Sequence, residues 1–336
     1  MTGLANGEVT GVRFTVSIRY TGLGDRLICL AAAWLFARNT GRTLVIDWRF
    51  GDLSRNWYSN DFIACFRNSG HLAGVPIICD NSVAQLKYPT PRYPFIWNHK
   101  TLLQRPMSRP TDLMEVHRRA AVNLIRAKRD RPEPVVVFDA CINDGIVRFE
   151  DAREFYQALE PVEPVAEHVE EFRRQRFEAA PVIGLHIRHG NGGDVMGHTK
   201  YWTSFSEAIA RCQRYVDFAR ERLGSDAPVF LCTDSSDVEA AVRALVPGVF
   251  TRPKQFRPQG VGELHHGSDV WQRRDDALIE MLLLAHTKAL IRYPPGTFFS
   301  LYGAVMKQRT GPPPETLYHL MEGFDRAEPL SPGLIL

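Results

Sequence analysis

Residues 182–202 read V-I-G-L-H-I-R-H-G-N-G-G-D-V-M-G-H-T-K-Y-W. The apolar run 182–185 has the length and composition of a buried strand. His186, Arg188 and His189 follow it, then Gly190, Asn191, Gly192 and Gly193, and a helical pattern resumes near Tyr201. Strand, basic cluster, glycine loop and helix is the order in which an open α/β sheet presents ligand groups at its carboxyl edge. Glycines let the backbone come close to a phosphate and aim its N–H groups there. Arg188 adds a permanent charge whose planar fork matches phosphate oxygens in pairs. The chemistry suggested is capture of a diphosphate. The competing reading of these residues alone is a solvated or salt-bridged strand end followed by a plain turn.

The same rhythm continues downstream. Residues 201–223 carry a long helical pattern, and 229–232 form a strand ending in T-D-S-S-D (233–237). A helix over 238–245 follows, with Ser and Asp as natural N-caps. A short strand at 249–250 leads to Arg252, Lys254 and Gln255. Residues 275–286 are a helix with a stripe of Leu278, Met281, Leu282 and Ala285. Residues 289–291 are a strand whose exit loop is R-Y-P-P-G-T (292–297), and another helix runs to about Gln308. The proline-containing tail, 310–336, reads as partly irregular.

Upstream, residues 13–19 alternate as a strand does, with Phe14, Val16 and Ile18 on one face. T-G-L-G-D-R-L (21–27) opens a helix that runs through Asn39, with Gly41 as its C-cap. Residues 43–48 are the next strand, which completes a β-α-β unit. Residues 50–130 are less regular, 135–138 form a third strand, and 150–160 and 165–179 look helical. Pro161, Pro164 and Pro181 place a domain boundary near residue 175, giving domains 1–175 and 176–336. Alternating strands and helices predict an α/β fold: two Rossmann-like domains, each a mainly parallel sheet with helices on both faces, and a cleft between them.

Several features admit two readings. Gly22-x-Gly24 followed by Asp47 at a second strand's end is a partial dinucleotide fingerprint, with Leu27 in place of its third glycine. Asp25 and Arg26 fit either a local surface pair or a cleft lining. The segment Y-P-T-P-R-Y-P-F-I-W (88–97) is either a packed loop or an aromatic platform for a sugar.

The totals narrow the class. The 336 residues suit two domains, and the apolar fraction of 44% is ordinary for a globular protein. With 41 basic and 38 acidic residues the net charge is +3, which argues against a dedicated nucleic-acid binder. None of the six cysteines (29, 65, 79, 141, 212 and 232) falls in a C-x-x-C pair, so a zinc ribbon or redox motif is not expected. Most lie in apolar runs, as buried thiols in a reducing compartment do. The first eleven residues have no apolar core of a secretory signal, and no run of about 18 apolar residues occurs. The expectation is a cytoplasmic protein without a transmembrane segment. No two aspartates sit two apart, so there is no D-x-D to hold a metal. Diphosphate charge would then be met by Arg, Lys, hydroxyls and backbone N–H groups, with no metal and no cofactor.

Taken together and in order, several motifs carry a family resemblance. They are T-G-L-G-D-R-L (21–27), A-R-N-T-G-R-T-L-V-I-D-W-R (37–49), G-V-P-I-I-C-D (74–80), H-I-R-H-G-N-G-G-D-V-M-G-H (186–198), F-L-C-T-D-S (230–235), P-K-Q-F (253–256) and L-I-E-M-L-L-L-A with I-R-Y-P-P (278–295). The chain resembles the rhizobial nodulation (NodZ-type) α-1,6-fucosyltransferases from about residue 12 to 305. The resemblance implies a GT-B-like fold, GDP-L-fucose as donor, and metal-independent transfer with inversion. It also implies a GlcNAc of a chitin oligosaccharide or lipo-chitooligosaccharide as acceptor. Arg188 then matches the family's essential arginine at the donor β-phosphate, where charge builds on the leaving GDP. His186 helps hold the guanosine. His189, Gly190 and Asn191 belong to the donor loop, and Asp234 and Ser235 fit the donor cleft. Glu280 falls where the family carries an aspartate that accepts from guanine. Thr297 sits where a hydroxyl contacts phosphate. The general base is Asp194, with His198 as the alternative; where the family carries acidic residues nearby, this chain has Gly193 and Gly197. Two other readings stay open: a GDP-sugar transferase acting on another acceptor, such as a surface polysaccharide, and a non-catalytic nucleotide- or glycan-binding module.

Overall fold

The computed structural model describes residues 12–19, 22–48, 61–99, 111–140, 149–190, 204–256 and 270–293. It also describes Val147, Trp202, Pro258 and the strands at 316–319 and 328–329. The chain divides into two compact units, Met1–Val162 and Glu163–Leu336.

The first unit holds strands β1 (Phe14–Ser17), β2 (Thr43–Ile46), β3 (His71–Leu72), β4 (Val75–Ile78), β5 (Arg92–Tyr93) and β6 (Val135–Phe138). They form one six-stranded sheet in the order β3-β4-β2-β1-β6-β5. All neighbours are parallel except β3, which runs antiparallel to β4. The central strands β1 and β6 are buried along their whole length, β6 as an unbroken apolar run and β1 with Thr15 and Ser17 buried alongside Phe14 and Val16. Helix α1 (Leu23–Thr40) is buried on nearly every side, so it is a core helix and not an amphipathic surface one. Trp34 packs against Phe155 of helix α4 (Phe149–Ala158) at 5.7 Å and donates its indole N–H to Leu72 O. Gly41 ends α1 in the left-handed conformation, φ 63°, which a residue without Cβ adopts at little cost. Beside it Arg42, with a fully buried side chain, ties this corner to the entry of β6 through Asp130, Arg131 O and Glu133 O.

The second unit begins with α5 (Glu163–Arg176), thirteen residues before the boundary that the prolines suggested. Its packing explains the difference. Phe172 of α5 and Phe177 just beyond it stack with Phe230 and Phe250, at 5.4 to 6.3 Å, which belong to strands of the second unit. Those strands are β7 (Ile183–Ile187), β8 (Val229–Thr233), β9 (Val249–Phe250), β10 (Ala289–Tyr293), β11 (Thr316–His319) and β12 (Glu328–Pro329). Their order is β12-β11-β10-β7-β8-β9, parallel except for β12. The connecting helices are α6 (Phe205–Leu223), α7 (Ser236–Leu245) and α8 (Val270–Leu284). From β7 the chain adds β8 and β9 on one side, then crosses through α8 to place β10 on the other. The strand order therefore reverses between β7 and β10, the position where open α/β sheets form a crevice for ligands.

The structure adds detail to three of these readings. The region 50–130 contains an amphipathic helix, α3 (Thr111–Ala127), and the two short edge strands β3 and β5 with β4 between them in sequence. The tail supplies β11 and β12 to the sheet. Asp25 and Arg26 each have a partner farther along the chain or before it: Arg26 bonds to buried Asp61 at 2.9 Å, and Asp25 lies 3.8 Å from Arg19. The described cysteines (29, 65, 79, 212 and 232) are buried. Among the described residues, no helix is long and apolar enough to cross a membrane.

The seating of β7 on α8 gives a prediction. A Cβ on Gly184 would stand 2.7 Å from Thr287 Oγ1 and 3.1 Å from Leu284 Cδ2. That hydroxyl is already bonded to Leu284 O. Gly184→Ala is expected to destabilise the protein by about 1–3 kcal/mol, read as a lower Tm by circular dichroism. An unchanged Tm would contradict this packing.

Candidate active site

The site is built on the carboxyl edge of the second sheet. Parallel register sets His186 of β7 beside Cys232 of β8 and Arg292 of β10. The β7–β10 ladder runs one residue further, because Arg188 N donates to Tyr293 O at 2.7 Å. Asp234 follows the last residue of β8 and so faces Arg188.

Asp234 organises the turn after β7. It is only 6% exposed. One carboxylate oxygen accepts from His189 N at 2.8 Å and the other from Gly190 N at 2.9 Å, and Arg188 Nη1 lies 3.2 Å away. Gly190 takes φ 82°, a backbone state that side chains resist. The N–H groups of His189 and Gly190, expected at a ligand phosphate, thus point to Asp234. Arg188 keeps 21% of its side chain exposed at the strand's end. Ser235 is fully buried and its hydroxyl caps α7, accepting from Val238 N. Trp202 braces the turn from the other side. Its indole N–H donates to Arg188 O at 3.1 Å, and its ring packs against His189 at 4.6 Å and Tyr293 at 5.2 Å.

A second buried cluster lies beside the first. Lys254, beyond β9, donates to Glu280 of α8 at 2.6 Å, and both side chains are almost fully covered. Burial alone would push the Lys254 ammonium down, but Glu280 beside it more than offsets this and its pKa is raised. One turn earlier on α8, Asp276 pairs with Arg252. Burial pushes the His186 imidazole down to about 3, and the positive charges of Arg188, Lys254 and Arg292 add to the effect. His186 is therefore a neutral imidazole at physiological pH, able to accept or donate one hydrogen bond. Cys232, deep among these groups, has its pKa raised well above the ordinary thiol value by burial.

The structure thus brings together Arg188, His186, His189, Gly190, Asp234, Ser235 and Glu280. Asn191, Asp194, His198 and Thr297 lie outside the described residues. Sequence reading did not single out Trp202, Arg292 or the role of Lys254. For Arg292 there was a signal: a cation ending an otherwise apolar strand, just as Arg188 follows β7.

The first unit's candidates behave differently. Asp47, the acidic residue of the partial dinucleotide fingerprint, is fully buried. In the segment 88–97, Trp97 is buried against His117 at 5.3 Å, and Arg92 donates to Tyr88 O and Trp97 O. This is a packed loop from which Phe95 stands out, 59% exposed.

Comparison with known proteins places this geometry. The model of the family described as Nodulation protein Z (NodZ) matches residues 11–311. The Nodulation protein Z of Bradyrhizobium diazoefficiens is 38% identical over 299 residues, covering 88% of this chain and 80% of that protein. A crystal structure of NodZ alpha-1,6-fucosyltransferase soaked with GDP-fucose superimposes with a TM-score of 0.72 at 31% identity, covering 88% of this chain and 92% of that one. At 12% identity, POFUT1 in complex with GDP-fucose superimposes with a TM-score of 0.52 over 91% of this chain and 98% of its own, a likeness of fold. The fold is that of the GT-B-like fucosyltransferases.

The depressed His186 gives a prediction with a definite sign. Its folded pKa lies below the ordinary 6.5, so in the window from about 6.5 down to about 3 the unfolded chain takes up a proton that the native site refuses. Its contribution to stability is therefore complete above that window and is lost as pH falls through it. In Tm measured against pH, His186→Gln is expected to flatten the acid side by at most about 1.4 kcal/mol per pH unit. Parallel curves for the two proteins would contradict a buried neutral His186.

Proposed function

The chain belongs to the nodulation protein Z family, and on that premise we propose that it transfers L-fucose from GDP-β-L-fucose to the 6-hydroxyl of a GlcNAc residue. The acceptor is a chitin oligosaccharide or lipo-chitooligosaccharide. The observation that carries this reading is Arg188, positioned by Asp234 and Trp202 at the edge where the strand order reverses. The structural relative just described was soaked with GDP-fucose, and a further NodZ crystal was grown with GDP, which supports the same donor here.

The reaction asks for three things of the protein. The 6-hydroxyl oxygen bonds to the anomeric carbon from the face opposite the nucleotide, so the configuration inverts. The bond from that carbon to the β-phosphate oxygen breaks, and its electron pair leaves with GDP. Arg188 stabilises this growing charge, a task that electrostatic preorganisation performs best in a water-poor pocket. The hydroxyl's proton passes to a base, for which Asp194 is the candidate. At the other end of the donor, a carboxylate suits the N–H donors of guanine, and Glu280 is placed for it with Lys254 holding one oxygen. His186 supplies a neutral hydrogen-bonding group nearby. No metal enters this scheme, because the cations are side chains. Asn191 and Thr297 complete the proposed donor contacts.

The test has two parts. In thermal shift without added metal, GDP and GDP-fucose should each stabilise the protein by roughly 2.7 kcal/mol at a hundred times their Kd, and UDP-GlcNAc and NAD should not. With a chitin oligosaccharide, mass spectrometry should then find one deoxyhexose added, and Arg188→Ala should lower the rate by about a hundred- to a thousand-fold. Stabilisation by NAD, or full transfer by the Arg188→Ala variant, would refute the proposal. Transfer only to another glycan would move the acceptor and leave the donor assignment standing.

A further inference from the structure

The site holds four buried or half-buried cations within a short span of the sheet edge, and their partners can be matched one by one. Arg188 faces Asp234, Lys254 faces Glu280 and Arg252 faces Asp276. Arg292 faces none: among the described residues no carboxylate pairs with it, and its buried Nε has no hydrogen-bond partner. Burial lowers its pKa to about 10, and no neighbouring negative charge counters the effect. A guanidinium still holds its proton at that value. An uncompensated buried cation is costly, and such costs persist where a ligand of opposite charge repays them.

Position supports the same conclusion. Arg292 lies on β10 in register with His186 of β7, so it flanks the reversal point from the side opposite Asp234. Its charge acts on the His186 imidazole together with that of Arg188. The reversal point of the first unit's sheet, between β1 and β6, offers a contrast. There Arg19 is met by Asp139 at 3.9 Å and by Asp25 at 3.8 Å. Of the two reversal points, the described cation without a counter-charge is at the second sheet's.

We propose that Arg292 is a second anion-binding guanidinium of the donor site, which takes the diphosphate of the sugar nucleotide together with Arg188. The division of labour follows from their partners. Arg188 shares its charge with Asp234, which fixes its direction. Arg292 meets no counter-charge among the described residues, and the diphosphate of the bound nucleotide neutralises it. The inference rests on the nucleotide-sugar reading given above.

Arg292→Met and Arg292→Lys test it, with affinities for GDP and for guanosine measured by calorimetry and Tm measured without ligand. Removing an unpaired buried charge should leave the Tm of the free Arg292→Met protein unchanged or higher. Its GDP affinity should fall by about ten- to a hundred-fold, the scale of hydrogen bonds to charged groups. Guanosine affinity should stay within about twofold, and Arg292→Lys should recover part of the GDP binding. Unaltered GDP affinity in Arg292→Met, or an equal loss for guanosine and GDP, would overturn the assignment. If Arg292→Met does not fold, a loss of GDP affinity in Arg292→Lys that guanosine does not share supports it, and unaltered GDP affinity, or an equal loss of GDP and guanosine, in Arg292→Lys overturns it. Failure of the wild-type protein to bind any nucleoside diphosphate would instead refute the underlying nucleotide-sugar reading.

Discussion

One carboxylate, that of Asp234, holds the carboxyl edge of the second sheet in shape. Its two oxygens accept the N–H groups of His189 and Gly190 and face the guanidinium of Arg188. A buried carboxylate needs several donors to remain charged at tolerable cost, and this turn supplies them. In return, the turn is fixed in a conformation that only glycine enters readily at residue 190, and Arg188 is aimed from the end of β7. Strand β8 delivers Asp234 to this point because it pairs in parallel register with β7. The sheet's topology and the direction of Arg188 are thus two aspects of one constraint.

Around that centre the charges are arranged unevenly. Lys254 with Glu280 and Arg252 with Asp276 clasp the exit of β9 to helix α8, two bridges one helical turn apart. Buried pairs of this kind rarely add much net stability, since desolvation offsets attraction. Their value here is geometric: they set the height of a carboxylate beside a neutral His186. The remaining positive charge, on Arg292 and in part on Arg188, is what a diphosphate would meet. Among the described residues at the first unit's own reversal point, Arg19 stands with Asp25 and Asp139.

Much of this was legible in the sequence. Two of the central strands show as short apolar runs, 135–138 and 182–185. Gly41 announced the end of α1 because only a residue without Cβ takes φ 63° cheaply there. Helix α3 was missed because its buried residues, Ala120, Ala121, Leu124 and Ile125, are interspersed with Arg118, Arg119 and Arg126, and the basic residues obscure the stripe. The strands β3 and β5 are two residues long, too short for any periodicity to show. In the site, residues at strand ends were visible by position alone: His186, Arg188 and Asp234. Their partners were not, since they are set by tertiary register. Gly190 meets Asp234 across 44 residues and Lys254 meets Glu280 across 26. Ser235 could be read as a ligand group or a cap, and only the geometry gives its hydroxyl to α7.

The central claim is that the nucleotide sits at the carboxyl edge of the second sheet. Hydrogen–deuterium exchange with and without saturating GDP tests it most directly. The account predicts slowed exchange in the segments containing His186 to Gly190, Cys232 to Ser235, Lys254, Glu280 and Arg292, with none at Arg19, Asp47 or Asp139. Protection confined to the first unit's sheet edge, with the second left unchanged, would contradict it.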